Sequence, residues 1–227
     1  GAYTTNPDQK EASRALLTAL PAERLTPERV AHLWGVTGGE EATTRAGEFA
    51  RAQALGLHSL IFLTQVLLEN SVAPSLSLLV VTNHGQEVID GDALRPEKAT
   101  AMAACRVIPQ EHPGIACRSI DVSVPPAGSE ARPRLAAQLT SELTADIADV
   151  TTAYRGRHRW VQTFERVEAG PAEEAGSRLR ERGVYMITGG LSGVGLALAG
   201  FLAKASKARL VVTGRAGLRG REGWGAG

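Results

Sequence analysis

Apolar residues recur along the chain in runs of two lengths, short and β-rich or long and helical, the alternation expected of an α/β protein. Ala12, Ala15, Leu16 and Ala19 share one face of a helix predicted over 8–20, which Pro21 stops. Pro27 starts a short helical turn before a strand at 30–36, and Gly38 and Gly39 punctuate its end. The stretch 41–70 reads as helix, with Leu57, Leu60, Ile61, Leu67 and Leu68 forming one core stripe. SLSLLVVTNHG (75–85) is a short apolar run after Pro74, the pattern of a strand buried on both faces. A helix follows from Pro96 through Cys105, then a strand at 115–122 and a PPAGS loop at 125–129. Leu135, Leu139 and Leu143 mark an amphipathic helix over 131–147, and 150–167 reads as a hairpin turning at 155–157. The polar segment EAGPAEEAGS (168–177) is the expected domain boundary.

Beyond that boundary the pattern becomes more specific. VYMIT (184–188) is a strand, GGLSGVG (189–195) follows it, LALAGFLAKA (196–205) is an apolar helix and RLVVT (209–213) a second strand. This is a βαβ unit with its glycines at the first strand-to-helix turn. A pyrophosphate needs a backbone that approaches closely and N–H groups without partners, and a helix N-terminus supplies those donors with about half a positive charge. Gly189 and Gly190 are expected to permit the tight turn, and Gly193 and Gly195 to clear side chains where the helix meets cofactor and sheet. An Asp or Glu that would bond a ribose 2′-hydroxyl is missing after the second strand. Thr213-Gly214-Arg215 stands there instead, placing a guanidinium where a 2′-phosphate would sit and favouring NADPH over NADH.

Charge adds a local detail. The formal net charge of the 227 residues is +1, so no global field selects a polyanion. From Arg178 onward, however, nine Lys/Arg face only Glu181 and Glu222, an excess in keeping with a phosphate site. Cys105 and Cys117 are too few to staple a fold and read as core thiols, and a reducing cytoplasm is the simpler setting. The apolar stretch 57–68 is interrupted by His58, Ser59, Thr64 and Gln65 and is expected to be too short to cross a bilayer. No signal peptide is expected at GAYTTNPDQKEA.

The spacing Thr188-Gly189-x-x-x-Gly193-x-Gly195 resembles the turn of short-chain dehydrogenases/reductases. TGGLSGVGLALAGFLA with LVVTGR after it is similar, more particularly, to ketoreductase domains of modular type I polyketide synthases. VAHLWGV (30–36), LLVVTNHGQEV (78–88), PEKATAMAACRVIPQEHPGIACRSIDV (96–122) and AYRGRHRWVQTFERV (153–167) resemble the structural subdomain of that family. The resemblance implies a Rossmann-like structural subdomain at 1–168 that binds no cofactor and a linker at 169–182. It further implies the first βαβ of a second, incomplete NADP-binding Rossmann subdomain at 183–227. It makes Thr188, Gly189, Gly190, Leu191, Ser192, Gly193, Val194, Gly195, Gly214 and Arg215 the NADPH-binding positions. It also implies reduction of the β-keto group of a polyketide held by phosphopantetheine on an acyl carrier protein, beside neighbouring synthase domains.

Two departures qualify that expectation. The first strand and helix of the family's structural subdomain are not recognisable before Asp8. Family members also use a serine and a tyrosine followed four residues later by lysine. Here Tyr3 meets Pro7, Tyr154 meets His158 and Tyr185 meets Gly189, so the catalytic set is expected outside this chain. The alternative is a pseudo-ketoreductase that braces dehydratase or methyltransferase domains, although a brace needs neither an intact glycine turn nor Arg215.

Other constellations carry less. The five histidines are scattered without metal-ligand spacing, so no metal is expected; His84 and His112 read as turn residues. No Gly-x-Ser-x-Gly elbow occurs. Arg155, Arg157, His158 and Arg159 read as a solvated hairpin rather than a nucleic-acid surface. Trp34 and Trp160 read as core aromatics at a subdomain contact, and Asp121 as a cap or bridge.

Overall fold

The computed structural model describes residues 4–22, 27–38, 45–70, 75–146, 148–168 and 178–215. Gly39, Ile147, most of the expected linker, Arg219 and Arg221 lie outside the described residues. The chain divides into two compact units, Gly1–Phe164 and Glu165–Gly227.

The first unit is built on a five-stranded sheet in the order β1 (Arg29–Gly35), β2 (Leu76–Thr82), β3 (Ile115–Val122), β4 (Thr151–Arg155), β5 (His158–Val161). The first four strands run parallel and β5 returns antiparallel to β4, with Arg155 opposite His158. A parallel sheet must be covered on both faces, and β2 shows how the sequence arranges this. Leu78 and Val80 face α3 (Ser59–Glu69) and α4 (Ala99–Glu111), joining Leu60, Val66, Leu67, Cys105 and Ile108, while Leu17 of α1 (Lys10–Ala22) closes the cluster. Leu79 and Val81 point the other way, onto Leu135, Leu139 and Leu143 of α5 (Ala131–Thr144). Each of these buried aliphatic side chains contributes about 1.5–3 kcal/mol. The α/β class expected from the apolar runs, and the Rossmann-like sheet that the resemblance implies, are the ones observed.

Several local expectations differ from the structure. Helix α1 runs through Pro21 to Ala22, and α4 continues past Cys105 with Pro109 inside it. Ile108 in the core anchors that last turn, and His112 N–H closes it on Ile108 O at 2.8 Å. Helix α5 ends at Thr144, where Ala145 turns extended. A π-helical turn at Gln53–His58 separates α2 (Arg45–Ala52) from α3 and shifts the helical phase. Within α3 itself Leu68 lies off the core stripe and is 38% exposed, while Ser59 and Thr64 turn inward. By length and composition Arg45–Glu69 is long and apolar enough to cross a membrane, contrary to expectation, yet its inward side chains are core to this sheet.

The hairpin is the largest correction. Arg155 is not solvated: it is buried, and its Nη2 donates to Asp121 Oδ2 at 2.8 Å and its Nε to Asp92 Oδ2 at 2.9 Å. Arg159 Nε donates to the buried Glu142 at 2.6 Å, and Tyr154 Oη donates to the same carboxylate at 2.7 Å. Arg118 completes that group at 3.0 Å. Burial pushes the Glu142 carboxyl up, but the bonds from Arg159, Tyr154 and Arg118 outweigh it and hold its pKa below the usual value. Trp160 is 44% exposed and not a core aromatic, and Trp34 is only partly buried. Cys105 and Cys117 are both buried; contact with Cys117, then burial, pushes the Cys105 thiol up.

The second unit is a parallel pair, β6 (Val184–Thr188) and β7 (Arg209–Thr213), joined by α6 (Gly193–Ser206). Ile187, Ala199 and Leu202 form its core with Tyr185, Leu179, Ala208 and Leu210 around them.

Candidate functional site

The glycine turn of the second unit is built by close approach. Strand β6 ends at Thr188, and Gly189 takes φ +71°, a left-handed geometry that a side chain would strain. Gly190 serves the turn, where a Cβ would stand 3.0 Å from Ile187 O, and also the contact with the next strand. A Cβ there would stand 2.4 Å from Val212 Cγ1, so its bareness lets the turn lie against β7, and its N–H donates to Thr213 O at 3.0 Å. Gly195, on the first turn of α6, would place a Cβ 2.5 Å from Gly190 Cα and 2.6 Å from Gly189 O. Both neighbours are backbone and cannot step aside. These contacts set the start of α6 directly on the turn.

What this geometry presents is a helix N-terminus with donors to spare. The first helical bond runs from Leu196 N–H to Ser192 O at 2.8 Å, so the N–H groups of Gly193, Val194 and Gly195 precede the ladder. Ser192 occupies the N-cap position, but its side chain accepts no bond from the helix N–H groups, and its hydroxyl donates to Gly189 O at 2.8 Å. A Cβ on Gly193 would meet nothing within 4 Å: the space before the helix is clear. Beside it lies a cleft of about 830 Å³ lined by Thr188, Gly189, Leu191, Ser192, Thr213, Gly214 and Arg215. Gly214 lets Leu191 pack closely, since a Cβ there would stand 2.8 Å from Leu191 Cδ1 and the leucine side chain would have to shift. Arg215 is exposed, and among the described residues it has no ion-pair partner. The donor set, the clear approach and the flanking guanidinium fit a phosphate-bearing nucleotide.

Of the positions singled out from the sequence, Thr188, Gly189, Leu191, Ser192, Gly214 and Arg215 line the cleft together. Gly190 and Gly195 shape it from behind, and Gly193 and Val194 stand at the helix start. Thr213 was not singled out, yet it lines the cleft and its carbonyl ties down the turn; its place at the end of β7 was the available signal. The basic excess sorts differently from the expectation. Among the described residues only Arg215 of this group reaches the cleft, while Arg178, Arg180, Arg182, Lys204, Lys207 and Arg209 lie at the opposite end of the unit, where the strands begin and α6 finishes.

The first unit has a polar cluster at the corresponding strand ends, but it is filled. Lys98 Nζ donates to Gly35 O at 3.1 Å and Thr37 Oγ1 at 2.9 Å, and it also bonds Asn83 Oδ1. Burial, then Arg95, pulls its pKa down to about 8 against Asp121 and Glu97. Asp121 accepts from Thr82 and from Gly85 N–H besides Arg155, which makes it the bridge expected of it.

This is an α/β chain with the fold of solved ketoreductases. The structure of an N-terminal ketoreductase from the macrolactin assembly line matches with a TM-score of 0.70 and 21% identity, over 94% of this chain and 40% of that one. The adenylation, ketoreductase and pseudo Asub structure of a keto acid-selecting NRPS module matches at 0.67 and 25%, over 97% of this chain and 18% of that one. The first ketoreductase of the tylosin PKS matches at 0.63 and 21%, over 91% and 40%. The chain belongs to the family described as beta-ketoacyl synthase-like, N-terminal, whose model matches residues 1–142. One component of the phenolphthiocerol/phthiocerol polyketide synthase of Mycobacterium tuberculosis is 30% identical over 162 residues, 71% of this chain and 8% of that protein. Another component of the same synthase, from the same species, is 28% identical over 138 residues, 61% of this chain and 7% of that protein. The chain thus spans less than a tenth of these relatives, and together the comparisons support a polyketide synthase ketoreductase-type domain.

Proposed function

We propose that the second unit holds NADPH for a ketoreductase that reduces the β-keto group of a polyketide intermediate carried by an acyl carrier protein. The observation that carries the reading is the uncapped helix start, with the N–H groups of Gly193, Val194 and Gly195 beside clear space. These amides and the positive end of the α6 dipole receive the pyrophosphate. Gly190 and Gly195 hold the turn against the helix, and Arg215 receives the 2′-phosphate through charge-assisted bonds. When bound, NADPH supplies the hydride for the ketone. No tyrosine in this chain has a lysine four residues on, so its own share of the reaction is to hold and orient the cofactor. The filled cluster around Lys98 supports the expectation that the first unit carries none. Membership of a synthase with neighbouring domains is supported by the relatives being components of a polyketide synthase.

Titration of NADPH and NADH against Arg215→Ala and Gly193→Val tests the assignment. A charge-assisted contact contributes about 1.5–3 kcal/mol, so Arg215→Ala is expected to weaken NADPH roughly ten- to hundredfold and NADH hardly at all. Gly193→Val fills the clear space and weakens both. Equal losses of the two cofactors in Arg215→Ala would remove the arginine from the 2′-phosphate.

A further inference from the structure

Cys105 and Cys117 are both free and both buried, and the first unit sets them side by side. Cys105 lies six residues before the end of α4, about 9 Å back along the helix. Cys117 lies two residues into β3, about 7 Å along the strand. The turn at 112–114 reverses the chain between them, with Ile115 N–H donating to His112 O at 2.9 Å. The two positions therefore stand at nearly the same height where α4 packs on β3. Ile108 and Ile115, one step nearer the turn, join them in one core cluster, and the thiols themselves are in contact.

The pair is also within reach of small molecules. A cleft of about 560 Å³ is lined by both cysteines together with Pro109 of α4, Val150, Val161 and Phe164. Arg106 stands on the same wall, its Nη2 donating to Gln162 Oε1 at 2.6 Å. Contact with Cys117, then burial, pushes the Cys105 thiol up and outweighs the opposing effect of Arg106, so the pair rests as a neutral dithiol. Burial also selects among the fates open to the two sulfurs. A thiolate, a sulfinate or a thiolate-bound metal ion would bring charge into the core, whereas a disulfide brings none.

We propose that Cys105 and Cys117 form a reversible dithiol–disulfide site, oxidised by a hydroperoxide that enters through this cleft. One thiol sulfur attacks a peroxide oxygen and the O–O bond breaks. That sulfur becomes a sulfenic acid, and its hydrogen leaves with the departing oxygen as water. The second sulfur attacks the sulfenic sulfur, the S–S bond forms, and the second thiol hydrogen leaves with the hydroxyl as another water. The two sulfurs together give up two electrons, and the peroxide accepts them. A dithiol reductant restores the pair by exchange. Because the thiolate is the nucleophile, the neutral resting pair reacts slowly and answers to sustained exposure. The bond staples α4 to β3 and restricts the unfolded chain.

The test treats the full chain with excess hydrogen peroxide, blocks the remaining thiols and digests with trypsin in the absence of reductant. Cleavage after Lys98, Arg106 and Arg118 places Cys105 in ATAMAACR (99–106) and Cys117 in VIPQEHPGIACR (107–118). The two peptides are expected as one linked species that dithiothreitol separates, from a chain that remains monomeric on size exclusion. Cys117→Ala is expected to yield no linked species. Equilibration with a glutathione redox buffer needs no variant: the folded chain is expected to hold the disulfide at least about tenfold more strongly than the same chain in urea. Two separate peptides, whether free or oxygenated, would overturn the proposal. A disulfide found only between two chains, or one no stronger in the folded chain than in urea, would overturn it as well.

Discussion

His32 makes the first unit sensitive to mild acid. Its ring is buried, its Nε2 meets Ser59 Oγ at 2.8 Å, and Ser59 Oγ donates to Leu55 O at 2.7 Å. Since the serine hydrogen is committed to the carbonyl, Nε2 carries the imidazole proton and Nδ1 is left buried without a partner. Charging such a ring requires desolvating an imidazolium, and burial lowers its pKa from 6.5 to about 4. The folded state thus binds fewer protons than the unfolded chain, so the stability is present above the unfolded pKa and is lost as pH falls through the window from 6.5 to about 4. Linkage gives a loss of about 2 kcal/mol between about pH 7 and pH 5, and about 3 kcal/mol by about pH 4. Carboxylates such as Glu142 and Asp92, held below their usual values, give up their share at lower pH, which leaves the upper part of the window to His32. Urea unfolding followed by tryptophan fluorescence reads the effect, since Trp34 stands edge-on to His32 at 5.5 Å. His32→Gln retains a donor for Ser59 and cannot titrate. Its stability is expected to stay flat across the same interval. Parallel losses in the two proteins would refute the assignment.

The buried ion network supplies further outcomes. Glu142→Leu leaves Arg118 and Arg159 without their shared carboxylate, and is expected to destabilise the first unit by about 3–5 kcal/mol in urea melts. Lys98→Met removes the donor to Gly35 O, Thr37 Oγ1 and Asn83 Oδ1, and is expected to cost about 2–3 kcal/mol without altering NADPH affinity. Gly195→Ala drives a methyl into Gly189 and Gly190, and is expected to abolish cofactor binding while the melt of the first unit stays in place.

The parts of the fold legible in the sequence were those where one periodicity dominates. LSLLVVT alternates its apolar side chains onto two covered faces, and Leu135, Leu139 and Leu143 recur on one side of a helix; both stand where the pattern puts them. The glycine turn was legible because strand, glycines and helix must follow in that order for the backbone to close. Hydropathy failed where polar groups are buried in pairs. Arg155 and Arg159 read as solvated because nothing in their own neighbourhood names Asp121, Asp92 or Glu142, which arrive from distant segments. The π-helical turn was invisible for a related reason: one inserted residue changes the phase of a stripe without changing its composition. Gly190 was legible as a turn glycine, but its tightest constraint is contact with Val212, a residue 22 positions away that only tertiary structure brings near.

The central claim is that the start of α6 receives the nucleotide phosphates, and backbone amide chemical shifts of the isotopically labelled chain test it most directly. On addition of NADPH the amides of Gly193, Val194 and Gly195 are expected to move with Leu191, Ser192 and Arg215, while those of Leu78 and Val80 in the first unit stay in place. Shifts confined to the first unit, or none around the glycine turn at saturating NADPH, would contradict the account.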